Sequence, residues 1–186
     1  MPRIRYQVAV SLDGFIAGPK GEVDWIIIDP EIDFSALFAQ FDTFIMGRRT
    51  FETAGAMATS GSGAKTFVFS RSLDPENHPN VTIVPQVSQA TVAPIRAQAT
   101  KDIWLFGGGV LFESFLDAGL VDAVEVAIIP VLLGGGVPLL PHPAQRTQLT
   151  LKNHRAYKSG IVSLEYGISG LGRLTKDGAD LMLPTV

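Results

Sequence analysis

Three consecutive glycines, Gly107, Gly108 and Gly109, close an apolar run and open a helical one in LFGGGVLFESFLDAGLVD, residues 105–122. Glycine loses more backbone entropy on folding than any other residue, about 0.5–1 kcal/mol relative to alanine inside a regular element. Three in a row at a strand–helix junction are kept only where the backbone turns sharply or must be approached closely. A strand that runs through glycines into a helix leaves unpaired N–H groups and the positive end of the helix dipole aimed at one spot, with no Cβ in the way. Such a junction is a cradle for an anion. By itself the triplet is equally compatible with a tight structural turn.

The rest of the chain supplies the frame. IRYQVAVSL, DTFIMG, KTFVFS, NVTIVP, DIWLFG and VDAVEVAIIP read as strands from their β-branched and apolar content. EIDFSALFAQF places Ile32, Leu37, Phe38 and Phe41 on one helical face. ATVAPIRAQA is a weaker helix with Pro94 near its first turn, where proline is tolerated, and GVLFESFLDAG is a helix ending on Gly119. QLTLKNHRAYKSGIVSLEYGI predicts a hairpin turning at Lys158, Ser159 and Gly160. Alternating β and α units predict an α/β fold: a mostly parallel central sheet flanked by helices on both faces and finished by a C-terminal antiparallel hairpin. One domain over residues 1–168 and a patternless tail over 169–186 follow.

With 186 residues, 46% of them hydrophobic, the chain is on the globular side of the boundary with disorder. The net charge of −3 argues against a nucleic-acid surface. The absence of cysteine excludes disulfides and thiolate metal sites and fits a cytoplasmic, reducing compartment. No signal-peptide core opens the sequence. The most hydrophobic stretch, 124–140, is broken by Pro130, Pro138 and three glycines, so no membrane span is expected.

The Rossmann fingerprint does not account for the triplet, since Phe112 stands at its third glycine position and the motif falls past mid-chain. A Walker loop fails as well, for want of a following Gly-Lys-Ser/Thr. Two other strand ends carry related chemistry, however. IMGRRTFE brings Gly47, Arg48, Arg49 and Thr50, and VFSRSL brings Ser70, Arg71 and Ser72. Arginine forks and hydroxyls at the carboxyl ends of parallel strands suit a ligand with several separated phosphates. A dinucleotide is such a ligand, and the arginines favour the one with an extra 2′-phosphate.

FDTFIMGRRTFE, TFVFSRSL and DIWLFGGGVLFESFL, in this order and spacing, resemble dihydrofolate reductase and its superfamily. VAVSLDGFIAGPKGEVDWI and IIPVLLGGGVPLL resemble one branch of it, the reductase domain of the riboflavin-pathway deaminase/reductase and its stand-alone relatives. The resemblance covers Ile4 to Ile168. It implies NADPH as cofactor, with Gly47, Arg48, Arg49 and Thr50 along its phosphates and Ser70, Arg71 and Ser72 on the adenosine ribose and 2′-phosphate. It further implies Gly107, Gly108 and Gly109 at the pyrophosphate, through a cis peptide at Gly107-Gly108, with Val110, Leu111 and Phe112 starting the helix behind them. Ala9 to Ala17 would form the first strand and the loop closing over the nicotinamide. The superfamily places a pocket acid on the first helix, where Asp33 is the best match and Glu31 lies close behind. Asp33 also suits a helix N-terminus on dipole grounds alone. Asp13, in SLDG, lies by the active-site loop and either contacts substrate or shapes the turn. Trp25 either lines the substrate pocket or anchors packing.

The expected activity is therefore NADPH-dependent reduction of a C=N bond in a pteridine or aminopyrimidine. Dihydrofolate reduction is the alternative, and a non-catalytic nucleotide-binding protein on the same fold is the rival from another class. A ribose phosphate on the substrate would need basic residues beyond the cofactor segments, for which Arg3, Arg5 and Lys20 are the candidates. Gly134 to Gly136 lead to Pro138 and not to a helix, so they predict a tight turn near the pocket or under a subunit interface. A homodimer is expected from the branch. No metal is expected, and His78, His142 and His154 are given no chemistry.

Overall fold

The computed structural model describes residues 1–54, 63–141 and 144–168. In β1 (Ile4–Ser11) alternate side chains point to opposite sides of the sheet, and Ile4, Tyr6 and Val10 go to one core. The chain continues through β2 (Phe15–Ala17), α1 (Phe34–Phe38), β3 (Phe41–Gly47), α2 (Arg48–Ala54), β4 (Lys65–Phe69), β5 (Thr82–Val84), α3 (Gln89–Gln98), β6 (Asp102–Gly107) and α4 (Gly109–Asp117). It closes with β7 (Ala123–Ile129), β8 (Val137–Pro138), β9 (Leu149–Ala156) and β10 (Val162–Ile168). Eight strands form one sheet in the order β5-β4-β3-β6-β1-β7-β10-β9. The first six of that order run parallel, and β10 and β9 are antiparallel to their neighbours, as the sequence predicts.

The two faces bury different cores. On one, Tyr6, Ile45, Phe67, Leu105 and Val124 pack with Val92 and Ile95 of α3 and Leu111, Phe112 and Phe115 of α4. On the other, Phe41, Phe44, Met46 and Trp104 pack with Leu37 and Phe38 of α1 and Phe51 of α2. Tyr6 stacks on Phe112 with ring centroids 3.8 Å apart, and its enclosed hydroxyl has no hydrogen-bond partner, so burial pushes its pKa up.

Helix α4 ends on Gly119 as predicted, and the reason is visible in its last turn. Gly119 adopts φ +67°, its N–H donates to the Leu116 carbonyl, and the Leu120 N–H donates to the Phe115 carbonyl. That is the Schellman arrangement, with Leu120 and Phe115 sharing one core.

Several expectations are corrected. The first helix is only Phe34–Phe38, so Ile32 lies before it and Phe41 already belongs to β3. Their helical spacing with Leu37 and Phe38 is a coincidence of two junctions. Phe41 instead packs 5.0 Å from the Trp104 ring. Pro94 is the sixth residue of α3 and not in its first turn. Ser88 and Thr91 form a reciprocal cap that starts the helix earlier, a Ser-x-x-Thr signal present in the sequence. A second, two-stranded sheet of β2 with β8 was not anticipated. Arg3 and Arg5 are not available to a phosphate, against expectation. Arg3 forks onto Asp102, and Arg5, 7% exposed, is held by Glu125, Asp102 and Gln40 at the amino end of the parallel strands.

The tail 169–186 and His142 lie outside the described residues. His154 is exposed on β9, and His78 meets Phe51 in a T-shaped contact, their centroids 5.4 Å apart. Among the described residues no helix is long and apolar enough to cross a membrane, and no group of three or more His, Asp or Glu side chains could hold a metal ion.

Candidate functional site

Strands β4, β3 and β6 are neighbours in the sheet and parallel, so their carboxyl ends open on the same side. Neighbouring strands lie roughly 4.8 Å apart, which spreads the three ends over about 10 Å. This brings Ser70–Ser72, Gly47–Thr50 and Gly107–Gly109 into one row, the three groups that the sequence predicts to act together. Thr50 links two of them, since its Oγ1 accepts the Gly108 N–H at 3.2 Å. The hydroxyl proton of Thr50 is thereby free to point elsewhere. At the end of β4, Ser70 Oγ accepts from the Ser72 and Leu73 N–H groups, turning the chain and presenting Arg71 outward.

The three glycines are bare for different reasons. Gly107 has φ +144°, a conformation that side-chain-bearing residues rarely adopt. At Gly108 an added Cβ would meet only Thr50 Oγ1, at an ordinary 3.5 Å, and at Gly47 nothing nearer than 3.9 Å. The protein itself leaves that space open. At Gly109 the chain fills it: a Cβ would lie 2.7 Å from the Pro138 carbonyl oxygen and 3.1 Å from that of Leu139. Gly109→Ala is therefore expected to destabilise the fold by about 1–3 kcal/mol through overpacking. Thermal unfolding would show it as a fall of several degrees in Tm.

Helix α4 has no side-chain cap at Gly108. The Leu111 and Phe112 N–H groups donate to the Gly108 carbonyl, and both side chains turn into the core, so neither is placed to touch a ligand. The N–H groups of Gly109 and Val110 are the ones left for an anion. Val110 is 70% exposed. Among the cations, Arg48 pairs with Glu52 across one helical turn at 3.0 Å. Arg49 and Arg71 are exposed and have no ion pair among the described residues.

The second half of the site lies beside β1. Ala9 is half-buried there, next to Ala127 of β7. Asp13 sits in the following turn and clamps two loops together. Its carboxylate accepts from the Ser11 hydroxyl at 2.6 Å and from the N–H groups of Leu133 and Gly134 at 3.1 and 2.7 Å. Chiefly through the Ser11 hydrogen bond, and then those two backbone groups, its pKa is held below the ordinary carboxylate value. The Gly134–Gly136 turn is thus docked against β2, where a Cβ on Gly136 would strike the Ala17 carbonyl.

Asp33 caps α1, its Oδ1 accepting the Ala36 N–H at 2.9 Å from an exposed position. Trp25 is half-buried, and its indole N–H donates to the Glu22 carbonyl at 3.0 Å. Asp29 was missed. It is 2% exposed and accepts from the Glu31 and Ser159 N–H groups, with the hydrogen bond to Ser159 leading the causes that lower its pKa. Glu31 pairs with Arg155 and Lys158 at 3.0 and 3.4 Å. Together Asp29 and Glu31 fasten the loop 18–33 to the β9–β10 hairpin.

A mostly parallel sheet with helices on both faces, opening at adjacent strand ends onto glycines, hydroxyls and exposed arginines, defines an α/β protein of the dihydrofolate-reductase-like kind. The family model of the RibD C-terminal domain matches residues 2–163, and the chain belongs to that reductase-like family. It is 35% identical over 181 residues to the uncharacterized protein YyaP of Bacillus subtilis (strain 168), a match covering 90% of this chain and 96% of that one. Among solved structures it is similar to the "putative riboflavin biosynthesis protein" of Shewanella sp. PV-4, with a TM-score of 0.76 and 25% identity over 91% of this chain and 99% of that one. It also shares its fold with the diaminohydroxyphosphoribosylaminopyrimidine deaminase/5-amino-6-(5-phosphoribosylamino)uracil reductase of Thermotoga maritima. That match has a TM-score of 0.65 at 17% identity and covers 90% of this chain but 57% of that one.

Proposed function

We propose that the protein is an NADPH-dependent reductase that converts a C=N bond of an aminopyrimidine or pteridine into a C–N single bond. The observation that carries this reading is the open space at Gly108, at the uncapped start of α4, in a row of strand ends that also carries the exposed Arg49 and Arg71. These donors fit a dinucleotide phosphate: the free N–H groups of Gly109 and Val110 and the Thr50 hydroxyl for the pyrophosphate, with Arg71, Ser70 and Ser72 for a 2′-phosphate. When bound, NADPH supplies the hydride that goes to the carbon. The protein's part is to hold the two rings together over β1 and to see that a proton reaches the nitrogen.

Asp13 is poorly suited to deliver that proton, because three hydrogen bonds favour its ionised form. Its place in the proposal is to hold the loop after β1 against the Gly134 turn. Asp33 is the carboxyl assigned to the proton. Asn caps a helix about as well as Asp, so Asp33→Asn is expected to keep the fold and NADPH affinity. Turnover should fall by about a hundredfold, within the usual worth of a general acid, and recover in part at low pH. Equal turnover by Asp33→Asn and the unaltered chain would assign the helix acid to capping alone and make water the donor.

The reading is tested by the loss of reduced-nicotinamide absorbance with pterins, dihydrofolate and aminopyrimidine ribosides. Oxidation stimulated by one of them supports it, and NADPH binding without any oxidation would favour a non-catalytic binder. A homodimer belongs to the same proposal, supported by the outer strand β9, whose residues 150–156 are all exposed.

A further inference from the structure

The sheet face that carries Gln7 is organised in two rows. Register places Gln7 beside Glu125 and Glu125 beside Glu165, while one step toward the carboxyl end of β1 Ala9 lies beside Ala127 and Ala127 beside Ser163. Side chains in register leave a sheet on the same face. The row of two alanines and a serine is low enough for a flat ring to lie on it. The polar row would then meet one edge of that ring. On its other side the face is bounded by Trp104, whose indole N–H donates to the Gln7 carbonyl at 3.0 Å and whose ring packs against Phe38.

Within the polar row the groups are not equivalent. Both oxygens of Glu125 are occupied by Arg5, at 2.5 and 2.8 Å. The side-chain oxygen of Gln7, by contrast, is enclosed and has no hydrogen-bond partner. Such atoms are uncommon in folded proteins and call for an explanation. Rotation about the last bond of the Gln7 side chain brings either end of the amide to the row. Turned to the row in this way, the unpartnered oxygen would accept from a ring N–H.

Among the described residues the same face has little to offer a phosphate. Arg5 is held by Glu125 and Asp102. Arg155, in register with Ser163, is paired with Glu31 and lies over the Tyr157 ring, and Lys158 shares that same Glu31. Lys20 is the sole cation of the loop 18–33, and it is exposed in a turn whose N–H groups are engaged by Glu22. Glu165 adds a carboxylate in the polar row.

Resting on the proposed reductase reading, we infer that Gln7 is a specificity-determining residue and that the substrate is a planar nitrogen heterocycle presenting an N–H to its side-chain amide and carrying no phosphate.

Binding alone tests this, by quenching of tryptophan fluorescence in the absence of cofactor. Lumazine is compared with 1,3-dimethyllumazine, which lacks the ring N–H groups, and 5-amino-6-ribitylaminouracil with its 5′-phosphate. The unaltered chain should bind lumazine at least about tenfold more tightly than the dimethyl compound, the worth of one hydrogen bond whose loss leaves a buried acceptor unpaired. Gln7→Met, close in volume, should lose that preference at unchanged Tm. The phosphate ester should bind no more tightly than the free alcohol. Equal affinities for lumazine and its dimethyl derivative, no binding of either, or a tenfold preference for the phosphate would each overturn the inference. The lumazine comparison in the unaltered chain stands even if the Gln7 variant does not fold. NADPH is titrated separately: failure of NADPH to bind while the heterocycle preferences hold would overturn the reductase reading and leave only the recognition of the ring N–H by Gln7 standing.

Discussion

Gly108→Ala is expected to lower NADPH affinity by at least about a hundredfold while leaving the protein folded. A Cβ at this position would stand 3.5 Å from Thr50 Oγ1, an ordinary contact, so no neighbouring atom crowds it. It would occupy the space where the pyrophosphate must approach the start of α4, and losing charge-assisted hydrogen bonds worth about 1.5–3 kcal/mol each gives a loss of that size. The contrast with Gly109→Ala is the informative part. There the Cβ collides with the Pro138 and Leu139 carbonyls, so stability falls first. Fluorescence titration of both variants, alongside thermal unfolding, separates the two. Normal NADPH binding by folded Gly108→Ala would reduce the glycines to a structural turn.

Arg71→Ala is expected to narrow the preference for NADPH over NADH by about tenfold or more, with NADH affinity nearly unchanged. Arg71 is exposed at the end of β4 and has no carboxylate partner among the described residues, so its charge is available to a 2′-phosphate. Arg48 differs, because Glu52 already takes its guanidinium. Arg48→Ala should therefore change the preference much less. Arg49 likewise has no ion pair among the described residues, and a larger loss of preference in Arg49→Ala than in Arg71→Ala would move the 2′-phosphate contact to α2.

The strand ends were legible because their chemistry is local. Gly47 with Arg48–Thr50, Ser70–Ser72 and Gly107–Gly109 each follow directly on an apolar strand, and a parallel sheet brings such ends together. The C-terminal hairpin was legible for a similar reason, since Gly160 takes φ +90° within the predicted turn. What escaped the sequence is nonlocal or too short to have a period. Strands β2 and β8 have three and two residues. Asp13 meets Leu133 and Gly134 across 120 and 121 positions, and Asp29 meets Ser159 across 130, so a clamp and a simple Asp-Gly turn read alike in the chain. The first helix was overextended because Ile32 and Phe41 happen to fall at helical spacing, while Asp33 caps a helix of only five residues. Gln7 stood visible in an apolar strand, IRYQVAVS, but only the enclosure of its unpaired oxygen marks it as unusual.

In the proposed function the row of strand ends from β4 to β6 holds a dinucleotide with a 2′-phosphate. Equilibrium titration of the unaltered chain with NADPH and with NADH, each followed by tryptophan fluorescence, tests it most directly. Saturable binding of NADPH, at least about tenfold tighter than NADH, is the predicted result, since one charge-assisted contact to the extra phosphate suffices for that ratio. Equal affinities, or no saturable binding of either nucleotide, would contradict it.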